Sequence, residues 1–211
     1  MTTALTLQSL PLFPLGAVLF PDGVLPLRIF EVRYLDMVGK CHKAGAPFGV
    51  VSLTQGNEVR QPGVREAFAT VGTLATIVEF ETPGPGLMLV RAHGAQRFRI
   101  QSSDQLKHGL WVADVERLAP DKVVEIPDDL KPAATALEKV ILSLQLRALD
   151  ANQLPVAPPW KLDDCGWVAN RWCELLPLPI SLKQRLMELD NPLVRLELVS
   201  DVLTRTGIAS S

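Results

Sequence analysis

The sequence predicts an α+β protein, with a β-rich N-terminal part carrying one inserted helix and an α-helical C-terminal part. Three observations carry this expectation. The hydrophobic period changes from about two to about 3.6 near residue 120. Before that point, short apolar runs alternate with turn residues. The 17 prolines and 14 glycines among 211 residues break the chain into many short elements and disfavour a plain helical bundle. Subdomains are therefore expected at 1–120 and 121–211.

In the first part, strands are expected at Leu10–Leu12, Val18–Phe20, Leu25–Ile29, Phe48–Leu53, Val71–Phe80, Leu87–Ala92, Arg97–Ile100 and Trp111–Leu118. So many short strands suit a barrel or sandwich. The clearest hairpin runs from Thr73–Glu81 through Thr82-Pro83-Gly84-Pro85-Gly86 into Leu87–Arg91. The Pro/Gly cluster cannot continue a ladder, and it supplies the φ values that a reversal needs. One helix interrupts the strands, over Phe30–Lys43, where Phe30, Tyr34, Met37, Val38 and Cys41 recur at helical spacing. Gly45 and Pro47 stop it.

Beyond Pro127 the pattern is helical. Asp129 can cap a helix with Pro132 in its first turn and with Leu137, Val140, Ile141, Leu144 and Leu149 along one side. Further helices are expected at about Asp163–Leu176, Ser181–Leu189 and Pro192–Arg205. Ser181 with Gln184 reads as a capping box. Asn191-Pro192 reads as an N-cap followed by a proline at the first helical position.

Composition bounds the function. With 21 basic and 23 acidic residues the formal net charge is −2, so nothing in the total favours a polyanionic partner. The uncharged stretch Leu5–Pro21 is broken by Pro11, Pro14 and Gly16. It has no basic residues before it and no cleavage site after it, so neither a signal peptide nor a membrane span is expected. The odd set Cys41, Cys165 and Cys173 contains no C-x-x-C pair, which argues against disulfides and structural zinc and for buried core thiols in a reducing cytoplasm.

Familiar chemistry is missing from the linear sequence. No G-x-x-x-x-G-K-[ST] string cradles a phosphate, and Gly84-Pro85-Gly86 joins strands rather than opening a helix. His42, His93 and His108 stand in no ligand spacing. No G-x-S-x-G elbow occurs, and Ser52, Ser102, Ser103 and Ser143 lack an activating context. The acid pairs Asp128-Asp129 and Asp163-Asp164 precede helices, where capping explains them. No cofactor and no metal is therefore expected. Arg91, Arg97 and Arg99 make a candidate basic patch on neighbouring strands, with a solvated strand face as the plainer reading.

The string Leu10-Pro11-Leu12-Phe13-Pro14-Leu15-Gly16-Ala17-Val18-Leu19-Phe20-Pro21 runs on through Leu25-Pro26-Leu27-Arg28-Ile29-Phe30-Glu31-Val32-Arg33-Tyr34-Leu35. It closely resembles the opening of the Lon protease N-terminal domain family. Further matches follow in family order: Phe48-Gly49-Val50-Val51, Val71-Gly72-Thr73 with Ala75, Arg91-Ala92-His93-Gly94, Arg97-Phe98-Arg99-Ile100, and Lys183-Gln184-Arg185-Leu186-Met187-Glu188 before Arg195-Leu196. The resemblance implies a β-rich pseudo-barrel like that of PUA domains, followed by a helical bundle. In the full protease this domain helps to recognise polypeptide substrates and to assemble the ring, ahead of an AAA-type ATPase and a Ser-Lys peptidase. Neither catalytic domain fits within 211 residues, so a free-standing, non-enzymatic domain is expected.

The resemblance thus implies a polypeptide-recognition module, an adaptor or chaperone-like binder. Its partners would be unfolded or peptide segments of other proteins, with a separately encoded protease as a candidate co-worker, and neither a membrane nor nucleic acid is favoured. The candidate polypeptide-binding or structural motif is Arg28, Phe30, Glu31, Arg33 and Tyr34. In its structural reading, Phe30 and Tyr34 anchor the helix to the sheet and Arg28 pairs with Glu31. The tryptophans at 160, 167 and 172 are expected in the core. The competing readings are an RNA-binding PUA-like module using Arg91, Arg97 and Arg99, and an enzyme whose site assembles only in space.

Overall fold

Residues 6–58, 66–147 and 154–208 are described in the computed structural model. The chain divides into two units, one through Pro120 and one from Asp121. In the first, the strands are β1 (Thr6–Leu15), β2 (Val24–Ile29), β3 (Phe48–Gln55), β4 (Ala67–Phe68), β5 (Val71–Gly84), β6 (Leu87–Gln105) and β7 (Trp111–Arg117), with helix α1 (Val32–Ala44) between β2 and β3. β1 pairs antiparallel with β7, β7 with β6, β6 with β5 and β5 with β3. β3 then returns to β1 in parallel, which closes five strands into a ring. β2 lies outside the ring on β6, and β4 extends β3.

Register sorts the side chains onto two faces, because neighbours in a ladder point the same way and alternate along each strand. Leu10, Leu12, Val51, Leu74, Phe98, Ala113 and Val115 share the ring interior. The interior is full: a Cβ on Gly72 would stand 2.4 Å from the Val50 carbonyl oxygen, and one on Gly49 would stand 2.8 Å from both Leu12 and Phe98. The other face buries Phe13, Leu15, Phe48, Val50 and Ala75 against Tyr34, Met37, Val38 and Cys41 of α1. Gly45 ends α1 in the left-handed region at φ 61°, as its position in the sequence suggested.

Several boundaries differ from expectation. β1 is longer than Leu10–Leu12 and runs through Pro11 and Pro14, while Val18–Phe20 is not a strand. Both prolines are tolerated because β1 changes partner at Leu12, so each has a strand on one side only. The runs Leu87–Ala92 and Arg97–Ile100 are one strand, β6, which pairs with β2 first and β7 later and borders β5 from Leu87 to Arg99. The expected five-residue loop narrows to Pro85-Gly86, with Gly86 at φ 73°, because Thr82–Gly84 stays in β5. α1 begins at Val32, so Phe30 stands before the helix and is 56% exposed rather than anchoring it.

The second unit contains α2 (Lys131–Arg147), α3 (Cys165–Leu175), α4 (Ile180–Glu188) and α5 (Pro192–Arg205). A 3-10 turn, Asp128–Leu130, opens α2, whose Ala133, Leu137 and Ile141 are buried. Leu149 lies outside the described residues. The Asp164 side chain caps α3 through the Gly166 amide, and Asn191 caps α5 through the Leu193 and Val194 amides. The expected Ser181/Gln184 capping box does not form. α4 starts one residue earlier, behind Pro179, so Ser181 lies inside the helix while the Gln184 amide donates to Glu188 at 2.7 Å. Trp167 and Trp172 are buried, and Trp172 Nε1 donates to the Ala133 carbonyl at 3.0 Å. Trp160 is half-buried. All three cysteines are free and buried.

Candidate functional site

The Arg28–Tyr34 motif folds around a pocket. β2 ends at Ile29, Phe30 and Glu31 turn the chain, and α1 starts at Val32. The pocket, about 270 Å³, is lined from this segment by Leu25 to Glu31 and by Tyr34, and from β1 and its sequel by Phe13, Leu15 and Ala17, with Glu58 completing the wall. Its lining is mainly aliphatic and aromatic, with three charged groups, Arg28, Glu31 and Glu58. Sites for drug-sized ligands start near 300 Å³, so this volume suits side chains of a larger partner better than a whole small molecule.

Beneath it sits Arg33, whose side chain is buried. Its guanidinium donates to Gly109 O at 2.8 Å, to Glu31 Oε2 at 3.1 Å and to Glu66 Oε1 at 3.2 Å, and reaches Glu58 O at 3.5 Å. Trp111 Nε1 donates to the other Glu66 oxygen at 2.8 Å. Arg33 also lies 4.5 Å from the centre of the Tyr34 ring, which stacks on Phe13 at 4.1 Å. Burial, the largest cause, pushes the Tyr34 phenol above its ordinary pKa. The expected Arg28–Glu31 pair is replaced by Glu31–Arg33, because Glu31 is the residue immediately before the helix and its carboxylate turns back to the buried guanidinium. Arg28 is exposed on β2.

The motif therefore separates into two roles. Arg33, Tyr34 and Glu31 hold the start of α1 to the sheet and to the β6–β7 turn, whereas Phe30 and Arg28 stand at the surface. Glu58, Glu66, Trp111 and Gly109 are partners that sequence reasoning missed. They lie 25 to 78 residues from Arg33 in the chain and only closure of the ring assembles them. Arg33 itself carried a signal: it precedes Met37 by four residues and so shares the buried side of α1.

The basic patch does not form. Arg97 is buried, Arg91 faces Glu79 at 4.0 Å, and Arg99 is exposed, so the three share no solvent-facing surface. His42, which stands in no ligand spacing, is exposed and stacks on Phe80 at 4.2 Å. Among the described residues no group of three or more His, Cys, Asp or Glu is placed to hold a metal ion, and no helix is long and apolar enough to cross a membrane.

Comparison with known proteins gives these geometries a context. The family model described as the ATP-dependent protease La (LON) substrate-binding domain matches residues 9–205. Lon protease 2 of Sorangium cellulosum (strain So ce56) is 32% identical over 122 residues, which span 56% of this chain and 14% of that protein. The crystal structure of a Lon N-terminal domain protein from Xanthomonas campestris aligns with a TM-score of 0.70 at 33% identity, covering 92% of this chain and 98% of that one. The N-terminal domain of Mycobacterium avium complex Lon protease shares the fold, with a TM-score of 0.56 at 18% identity over 92% and 97% of the two chains.

Proposed function

Since the chain belongs to the ATP-dependent protease La (LON) substrate-binding domain family, we propose that it recognises unfolded or peptide segments of other proteins without catalysing a reaction on them. It acts as an adaptor or chaperone-like binder, alone or alongside a separately encoded protease. The observation that carries this reading is the apolar pocket beside β2, with the half-exposed Phe30 ring at its lip and, along its wall, a strand edge that no described strand pairs with. Exposed apolar surface rimmed by polar groups is what a binder of unfolded chains needs. The RNA-binding alternative required Arg91, Arg97 and Arg99 on one exposed face, and nothing in the geometry favours it.

The test is fluorescence anisotropy of a labelled, permanently unfolded polypeptide titrated with the wild-type chain, with Phe30→Asp and with Leu146→Asp, a surface variant outside the pocket lining. Phe30 and Leu146 are both exposed, so neither change disturbs a core. Phe30→Asp is expected to weaken binding by about tenfold or more, as loss of an aromatic anchor does. Leu146→Asp is expected to leave it unchanged. No binding by the wild-type chain, or equal affinity of the two variants, refutes the reading.

A further inference from the structure

The pocket borders a strand edge rather than a sheet face. Every residue from Leu25 to Ile29 lines it. Successive residues of a strand point to opposite faces, so only a surface running along the strand's side meets all of them. That side is unpaired: among the described residues β2 pairs with β6 alone. β1 likewise loses β7 as a neighbour after Leu12, and its residues Phe13 and Leu15 form the opposite wall.

The β2–β6 register runs unbroken from Val24↔His93 to Ile29↔Met88. In an antiparallel pair, residues alternate between those that exchange hydrogen bonds with the partner and those whose N–H and C=O point away. Pro26 has no N–H to give, so it belongs to the outward set, together with Val24 and Arg28. The free edge therefore offers the carbonyls of Val24, Pro26 and Arg28 as three acceptors, and the amides of Val24 and Arg28 as two donors. Pro26 and Arg28 are exposed and Val24 half-buried, so these groups are open to a partner.

Charge adds a second constraint. Arg28, Glu31, Arg33, Glu58 and Glu66, at or under the pocket, sum to one negative charge. The Arg33 cation is already shared between Glu31 and Glu66. Glu58 accepts a hydrogen bond from the Gly16 amide at 2.6 Å and has no cationic partner among the described residues. Its carboxylate is exposed at the pocket wall.

We propose that the free edge of β2 takes up an extended peptide as an added strand, with an apolar side chain in the pocket and, two residues along on the same face, a Lys or Arg beside Glu58. This rests on the polypeptide-binding reading above and specifies how the peptide is held. Main-chain hydrogen bonds supply affinity whatever the sequence, the pocket selects an apolar residue, and Glu58 selects against acidic neighbours.

The experiment uses a labelled ten-residue peptide with a central Leu-Ser-Lys, and three derivatives: backbone N-methylated at even positions, N-methylated at odd positions, and Lys→Glu. Methylation at one parity removes the donors to three carbonyls and is expected to weaken binding at least tenfold. Methylation at the other parity is expected to change it less than about twofold, because those amides point away from β2. Lys→Glu is expected to weaken binding roughly two- to fivefold at moderate salt, as exposed pairs do. Glu58→Gln, which keeps the acceptor for Gly16, is expected to remove that discrimination. Equal effects at both parities, or none, overturn strand addition. Equal affinity for the Lys and Glu peptides overturns the role of Glu58. If the peptide does not bind but the unfolded polypeptide still does, this inference fails and the polypeptide-binding reading stands; if neither binds, both fail.

Discussion

Replacing Arg33 by leucine removes one positive charge from a site that is 5% exposed and strands the Glu66 carboxylate, itself 6% exposed. The loss is uneven among its partners. Gly109 O keeps a donor in Gln105 Nε2 at 3.2 Å, and Glu31 is exposed enough to be hydrated. Glu66 is left with Trp111 Nε1 as its donor, inside the protein. Breaking a buried pair from one side costs about 3–5 kcal/mol, because the remaining charge stays desolvated. Removing both partners leaves no such charge, so Arg33→Leu with Glu66→Leu is expected to recover more than half of that loss. Native-state hydrogen exchange read on β5 and β6 isolates the ring from the helical unit. Arg33→Leu is expected to speed their slowest amides by two to nearly four orders of magnitude, since each 1.4 kcal/mol is tenfold. Acceleration of less than tenfold, or a double variant as unstable as the sum of the singles, refutes the assignment of Arg33 as a buried electrostatic hub.

Four further outcomes follow from the packing. A Cβ on Gly94 would stand 2.1 Å from the Phe20 carbonyl oxygen, so Gly94→Ala is expected to cost about 4 kcal/mol or more, whereas Gly84→Ala, with nothing within 4 Å, stays within about 0.5 kcal/mol by thermal denaturation. Asn191→Ala removes the acceptor for the Leu193 and Val194 amides and is expected to destabilise the helical unit by about 1 kcal/mol in urea titration. Burial raises the thiol pKa values of Cys41 and Cys165, and pushes Cys173 up to about 12, so a thiol reagent at pH 8 is expected to modify none in the native chain and all three in denaturant. The folded Cys173 binds its proton more tightly than the unfolded thiol. Its contribution to stability is therefore complete below about pH 8.5 and is lost as pH rises toward 12, a slope that Cys173→Ala is expected to flatten.

Much of the fold was legible because local chemistry and the global fold agree. Asn191-Pro192, Asp164 and Gly45 mark helix ends by mechanisms confined to two or three residues, and each holds in three dimensions. Ser181 failed because a capping box needs its first residue outside the helix, and Pro179, with its fixed φ, starts α4 earlier. β1 was underestimated because prolines at 11 and 14 read as strand breaks until the change of partner at Leu12 is known. The basic patch failed on burial: no register shift lies between Arg97 and Arg99, which alternation puts on one face, yet Arg97 is buried and Arg99 exposed, a difference that tertiary packing sets and no local pattern shows. The pocket was legible in part. Arg28 to Tyr34 pointed to its location, but its opposite wall comes from Phe13, Leu15 and Glu58, which no local pattern connects to them.

Arginines at apolar helical positions share a task in both units, and that task decides which motif residues remain available for binding. In α5, Arg195 stands among buried Pro192, Leu196, Val199 and Leu203. It donates to the carbonyls of Leu186 and Leu189, at the end of α4, where helix geometry leaves acceptors unpaired and no glycine cap follows. In α1, Arg33 stands among Tyr34, Met37, Val38 and Cys41 and donates to Gly109 O in the β6–β7 turn, where Gly109 adopts φ 88°. A guanidinium offers five donors from one buried position, so it can satisfy several stray acceptors that no strand or helix reaches. Arg33 commits four of its five donors to Glu31, Gly109, Glu58 and Glu66 and is buried, so it does not face a ligand. The binding role within Arg28–Tyr34 therefore passes from its charged centre to its edges: the Phe30 ring, the outward backbone of β2, and the carboxylate of Glu58 across the pocket.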